Sequence, residues 1–199
     1  MKQALIVIDV QKIYTMKSSE MFCQDADKTV ARINKLVDAF KLQNNPIAYI
    51  RHQHRKDRSD IGHLFNFDGG EIEEVNFLEG SDEVNYDDRL HRISNSIEIV
   101  KTRYSAFAGT DLEAKLRKLG VQRIAVTGFM TNFCCESTAR SAFDLDFFVD
   151  AIIDATGTPG TDNCNQAQIR KESAEVLGAG FARVLTTEKY LKTLAIQKA

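Results

Sequence analysis

The chain has 199 residues, 43% of them apolar, enough for one compact α/β domain with a real core and too many for a disulfide-stapled miniprotein. Twenty-six basic residues against 28 acidic ones leave a net charge of −2, which excludes a broad nucleic-acid footprint and a polybasic membrane patch. The apolar run at 4–8 ends at Asp9, too short for a signal h-region or a membrane span.

In chain order, 4–10 is a continuous run rich in β-branched residues, which suits a strand buried on both faces. Val30, Ile33, Leu36, Val37 and Phe40 then recur at helical spacing, with Asp25 or Asp27 available as a cap. Residues 46–50 read as the second strand and 97–100 as the third. Thr110 and Glu113 have capping-box spacing, and Leu112, Leu116 and Leu119 share one helix face before Gly120 stops it. The fourth strand is 123–127. A helix over 135–145, a strand over 147–153, a helix over 166–177, a strand over 182–185 and a helix from Thr187 complete the pattern. Such alternation predicts a three-layer α/β/α domain, 1–199, around a six-stranded, mostly parallel sheet. The segment 51–91, roughly forty residues without a clean period, is expected to fold over the strand ends as a cap. Its acidic part, 71–88, reads as a solvated face or an oligomer contact.

In a parallel α/β sheet, ligands sit outside the carboxyl ends of the strands, so reactive residues just after strands matter most. Asp9 ends the first strand, Lys101 follows the third, and Cys134 lies in the turn after the fourth. Taken singly these are a loop carboxylate, a solvated ammonium and a small core thiol. Together they bring a carboxylate, an ammonium and a thiol to one sheet edge. Cys134 also precedes a predicted helix, where the dipole and a nearby lysine would both favour thiolate. The other cysteines are Cys23, Cys135 and Cys164. None has CxxC spacing, and adjacent cysteines seldom bond, because a disulfide needs Cα atoms ~4.4–6.8 Å apart. Reduced thiols in a cytoplasmic protein are the simplest reading.

Three motifs, Leu5-Ile-Val-Ile-Asp-Val-Gln11, Lys101-Thr-Arg-Tyr-Ser-Ala-Phe107 and Gly128-Phe-Met-Thr-Asn-Phe-Cys134-Cys-Glu-Ser-Thr-Ala-Arg140, fall in order at these strand ends. With them the chain resembles the isochorismatase-like cysteine hydrolases over nearly its whole length. The resemblance implies a Rossmann-like sheet without dinucleotide binding, in keeping with the absence of GxGxxG after the first strand. It implies a triad of Cys134 as nucleophile, Asp9 as general base and acid, and Lys101 as electrostatic partner. It also implies an oxyanion hole of the Met130 and Cys134 backbone N–H groups, with a cis peptide between Phe129 and Met130. Gln11, Tyr14 and Phe133 match positions that line the family pocket. Relatives acting on isochorismate lack the cysteine, so Cys134 favours hydrolysis of an amide or carbamoyl C–N bond. The wording around it is most similar to ureidoacrylate and other carbamoyl amidohydrolases. The expected partner is a small amide or ureido substrate, with no cofactor, no metal, no nucleic acid, no membrane, and a homo-oligomeric state.

Two alternatives stay open at this point. The nicotinamidase branch carries an Asp-x-His pair after the second strand and binds a divalent metal. Here the pair reads His52-Gln-His54, with His63 further on, and two histidines two apart share one side of a strand end. The second alternative is a non-catalytic redox sensor using Cys134 and Cys135, the latter standing where a small aliphatic residue is usual.

Overall fold

In the computed structural model, which describes residues 1–64, 66, 68–70 and 75–196, the first half of the chain forms β1 (Gln3–Ile8), α1 (Lys12–Thr15), α2 (Ala26–Leu42), β2 (Ile47–His52) and β3 (Ile97–Lys101). The second half forms α3 (Leu112–Lys118), β4 (Arg123–Phe129), α4 (Glu136–Asp144), β5 (Phe148–Gly157), α5 (Gln166–Gly180), β6 (Arg183–Leu185) and α6 (Thr187–Ile196). A 3₁₀ turn at Asp82–Val84 and a π-helical turn at Thr131–Cys135 interrupt the alternation. No helix among the described residues is long and apolar enough to cross a membrane.

All six strands are parallel, in the order β3-β2-β1-β4-β5-β6. β1 is the centre because all six of its side chains are buried. Its pleat sends Leu5 and Val7 to a core shared with Val30, Ile33 and Val37 of α2 and Tyr190 and Leu194 of α6. Ala4, Ile6 and Ile8 go to the opposite core, with Leu112 and Leu116 of α3, Ala139 and Ala142 of α4, and Leu177 of α5. A strand buried on both faces has no polar positions to alternate, hence the unbroken apolar run. Each such Leu or Ile contributes about 1.5–3 kcal/mol by leaving water. The strand order turns back between β1 and β4, which opens a crevice at their carboxyl ends.

Several local expectations shift. Thr110 does not form a capping box: its hydroxyl donates to Ala106 O at 2.6 Å, and α3 starts at Leu112 with no side-chain cap. Asp25 occupies the cap position of α2 but turns its carboxylate to Lys28 instead. A reciprocal capping box does form at α5, where Asn165 and Gln168 each bond the other's backbone N–H at 3.0 and 2.8 Å. β5 outruns its apolar stretch, because an advance of two residues on β4, Val126 to Gly128, is matched by five on β5, Ala151 to Thr156. Asp154, inside that irregularity, accepts the Thr187 N–H and hydroxyl at 2.7 and 2.9 Å and so anchors the start of α6.

The described part of 51–91 does cover the carboxyl ends of the strands. Gln11 bridges to Tyr86 and His54 to Leu78, while Asp87 N–H donates to Val10 O at 2.9 Å. Residues 65, 67 and 71–74, and with them the start of the acidic stretch, lie outside the described residues.

Candidate active site

Asp9 leaves β1 in the left-handed region, φ 48°, and its N–H donates to Ile50 O of β2 at 3.0 Å. That turn aims a fully buried carboxylate into the crevice. Opposite it, β4 comes unusually close: a Cβ on Gly128 would stand 1.9 Å from Ile8 O, and φ there is 119°. Only glycine permits this approach. The Phe129–Met130 peptide that follows is cis, as the resemblance implied. The π turn then carries Cys134 to the threshold of α4, a conformation frequent at functional sites.

Lys101 ends the edge strand β3, opposite His52 of β2. Two strand spacings separate β3 from β1, roughly 10 Å. A four-carbon stem crosses that gap over the end of β2. Lys101 Nζ lies 2.8 Å from Asp9 Oδ2 as an ion pair and donates to Cys134 Sγ at 3.3 Å and Arg103 O at 3.0 Å. Asp9, Lys101 and Cys134 are each at most 1% exposed. Although close, the Lys101 ion pair is off the hydrogen-bond direction, and neither Asp9 oxygen has an aligned donor among the described residues.

Burial governs the protonation of this cluster. It pushes the Asp9 carboxyl above its ordinary range even with Lys101 beside it. Burial opposes charge on Lys101 too, yet the Asp9 carboxylate and Cys134 hold its proton on and leave its pKa above the usual lysine value. Cys134 is pushed up to about 12, chiefly by burial; Lys101 pulls it down and Asp9 opposes that pull. The expected resting thiolate is therefore not met, because desolvation outweighs the lysine and the helix terminus. Burial favours the thiol over the thiolate at Cys134.

The other sequence-derived residues separate by role. Tyr14 is buried and stacks on Phe129, centroids 5.5 Å apart at 10°, with Phe77 tilted beyond it at 6.1 Å. Phe133, half-buried, meets Tyr104 at 5.3 Å. Gln11, expected in the pocket lining, is buried and bonds mainly to backbone groups. Nε2 donates to His52 O and Val84 O at 2.9 and 2.8 Å, and Oε1 accepts His52 N–H at 2.9 Å. It ties α1 to β2 and to the cap through three of its four amide valences, which leaves one Oε1 lone pair. Cys135 is buried in the core beside Val126 and Ala139, with a thiol pushed well up by burial, so it packs as a small hydrophobe. Cys23 is buried and Cys164 partly so; both are free thiols away from the cluster.

His52 and His54 are both buried, their Nε2 atoms 3.1 Å apart, and His54 Nδ1 faces Asp60 Oδ1 at 3.3 Å; His63 is exposed. Among the described residues the one convergent group of three metal-type donors is Asp9, His52 and Cys134. Two of those three already face the Lys101 ammonium, and a dication there would meet a fixed positive charge. The donor set does not fit a resident metal. Sequence reading missed Asp60, Phe77 and Arg103. Arg103 pins the cap by donating to Asp60 O and Ile61 O at 2.9 and 3.2 Å, and it lies inside the Lys101–Phe107 motif. Asp60 and Phe77 lie in the segment without period and carried no signal.

The parallel sheet thus holds a buried thiol, carboxylate and ammonium at its switch point. The chain belongs to the isochorismatase family, whose domain model matches residues 3–189. It is similar to "Nicotinamidase 3" of Arabidopsis thaliana, 30% identical over 96% of this chain and 88% of that one. It is also similar to "Ureidoacrylate amidohydrolase RutB" of Rhizobium rhizogenes, 28% identical over 83% of this chain and 74% of that one. Among solved structures, a cysteine hydrolase from Pseudomonas syringae pv. phaseolicola superposes with TM-score 0.87 at 25% identity, covering 98% of this chain and 92% of that one. The isochorismatase-like α/β fold is thus shown, as is membership in a family that includes amidohydrolases.

Proposed function

We propose that this protein is a cysteine amidohydrolase that cleaves an amide or carbamoyl C–N bond of a small molecule through a thioester intermediate. The observation that carries the reading is the buried convergence of one ammonium on a carboxylate and a thiol, 2.8 Å from Asp9 and 3.3 Å from Cys134. Because the resting sulfur is protonated, Asp9 takes the thiol proton as Sγ attacks the carbonyl carbon. Lys101 stabilises the charge passing between sulfur and carboxylate. The oxyanion sits on the Met130 and Cys134 N–H groups. Asp9 then gives its proton to the departing nitrogen as the C–N bond breaks. In the second half-reaction Asp9 deprotonates water, which attacks the thioester, and the proton returns to Sγ as the C–S bond breaks.

Tyr14 and Phe133 bound the substrate in this reading, and the names of the similar proteins support amide chemistry. The test is ammonia release from a panel of ureido acids, carbamoyl amino acids, biuret and nicotinamide. Cys134→Ala should abolish turnover and Cys135→Ala should not; equal loss in both would reverse the nucleophile assignment. Turnover that survives in Cys134→Ala would end the covalent mechanism. The proposal extends to a homo-oligomer in the cytoplasm, with light scattering on the eluting protein as the check on assembly.

A further inference from the structure

Beside the triad, a chain of three polar side chains has no part in the chemistry above. Asp60 Oδ1 stands 3.3 Å from His54 Nδ1, and His54 Nε2 stands 3.1 Å from His52 Nε2. Both rings are 1% exposed. His52 lies flat on Phe77, centroids 4.4 Å apart at 9°. Asp60 is itself fixed, since its carboxylate accepts the Arg55 N–H at 3.1 and 3.3 Å and its carbonyl accepts Arg103.

This connectivity assigns the ring protons. A carboxylate only accepts, so His54 carries its hydrogen on Nδ1. Burial holds His54 below the ordinary histidine value, although Asp60 pulls the other way, and burial with Lys101 holds His52 well below it, so both rings are neutral. A neutral His54 with Nδ1–H has a bare Nε2, and that atom can only accept from His52. His52 is then the Nε2–H tautomer, with a bare Nδ1 that has no hydrogen-bond partner among the described residues.

A ring nitrogen of His52, an Asp9 oxygen and Cys134 Sγ lie within 4.8 Å of one another. A water donating to two acceptors at ~2.8 Å each, at a tetrahedral angle, holds them about 4.6 Å apart. With Nδ1 as the nitrogen that faces the cluster, it and Asp9 can share one water next to sulfur.

We propose that His52, locked in the Nε2–H tautomer by His54 and Asp60, positions the hydrolytic water against Asp9 in the second half-reaction. This rests on the cysteine hydrolase reading. Water oxygen bonds to the acyl carbon and gives one proton to Asp9. Its other hydrogen stays on the new carboxylic acid, hydrogen-bonded to His52 Nδ1. The C–S bond breaks, Asp9 returns its proton to Sγ, and the acid ionises after release. His54 and Asp60 act through His52 and are positioning residues.

The probe is p-nitrophenyl acetate, whose nitrophenolate release separates acylation from turnover. His52→Phe keeps the stack on Phe77 and removes both ring nitrogens; His52→Asn keeps an acceptor near the Nδ1 position. His52→Phe should give a burst of one nitrophenolate per site, then turnover about ten- to a hundredfold slower than wild type. Intact mass should show acetyl accumulating on Cys134. His52→Asn should restore most of the turnover. Burst and turnover falling together, with no acetyl adduct, would overturn the proposal. So would ¹⁵N spectra of the wild-type protein that find a proton on His52 Nδ1, a result independent of whether either variant folds. A wild-type protein that never acylates at Cys134 would defeat the hydrolase reading itself, and this inference with it.

Discussion

Replacing Lys101 with Met tests the electrostatics of the site through stability, with no substrate needed. The variant keeps stem volume and removes the one cation 2.8 Å from Asp9, at a point where both side chains are 0% exposed. At an effective dielectric of 20 the lost attraction is roughly 6 kcal/mol. Part of that was offset by the desolvation of the ammonium, and breaking one side of a buried pair costs about 3–5 kcal/mol. For a chain of this size that lowers Tm by about 6–20 °C. The loss must depend on pH. Without Lys101 the strongest influence holding the Asp9 pKa down against burial is gone, and its folded pKa rises further above the unfolded value. A group with a raised folded pKa contributes its full stability below the unfolded pKa and loses it as pH rises through the folded one. Urea unfolding should therefore show a larger deficit at pH 8 than at pH 5. Adding Asp9→Asn removes the stranded carboxylate and should recover part of the loss in a double-mutant cycle. A deficit under about 1 kcal/mol, equal at both pH values and additive in the cycle, would refute the buried ion pair as drawn.

Other expectations follow from single contacts. Gly128→Ala sets a Cβ on the Ile8 carbonyl and should destabilise by at least about 3 kcal/mol, abolishing activity with it. Gly109→Ala, with positive φ but nothing within 4 Å, should lose only about 1–2 kcal/mol; chemical denaturation of the pair would expose any error in the close approach of β4 to β1. Asp87 is opposed by burial, yet Arg89, Thr15 and the Arg89 N–H hold it down at about 2, so its stabilising effect is present above the ordinary carboxylate pKa and is lost as pH falls towards 2. Acid titration of Asp87→Asn should show a shallower loss between pH 4 and 2, and an unchanged slope would count against the pairing. Cys134, raised to about 12, contributes stability that is complete below the ordinary thiol pKa and is lost as pH rises from about 9 towards 12. Alkaline melts of Cys134→Ala should decline less steeply than wild type over that range.

The sheet and the convergence of Asp9, Lys101 and Cys134 were legible in the sequence for the same reason: both depend on features that period and position record. β1 is apolar without a break because both its faces are buried, and the crevice position makes Asp9, Lys101 and Cys134 stand out at strand ends. What stayed hidden depends on packing. Nothing in the spelling of Gln11 says that three of its four amide valences close on backbone groups of β2 and the cap. The thiol state could not be read either, since neighbouring charge favours thiolate and only the depth of burial reverses that preference. Asp60 reaches His54 across a turn in a segment with no period, so no spacing rule could link them. Thr110 had the right partner at the right distance and still bonded backwards to Ala106, because a local carbonyl competed for the hydroxyl.

The reach of Lys101 over β2 ties chemistry to assembly. β3 is an edge strand held by one neighbour, and its side chains alternate faces, so a slip of one residue would turn the ammonium to the wrong side of the sheet. Asp9 and Cys134 are placed by β1 and β4, whereas Lys101 is placed by the pairing of β3 with β2. The position of the buried cation therefore depends on a strand that neither of its two partners belongs to. Loss of the register between Lys101 and His52 would leave a buried thiol and carboxylate with no cation beside them.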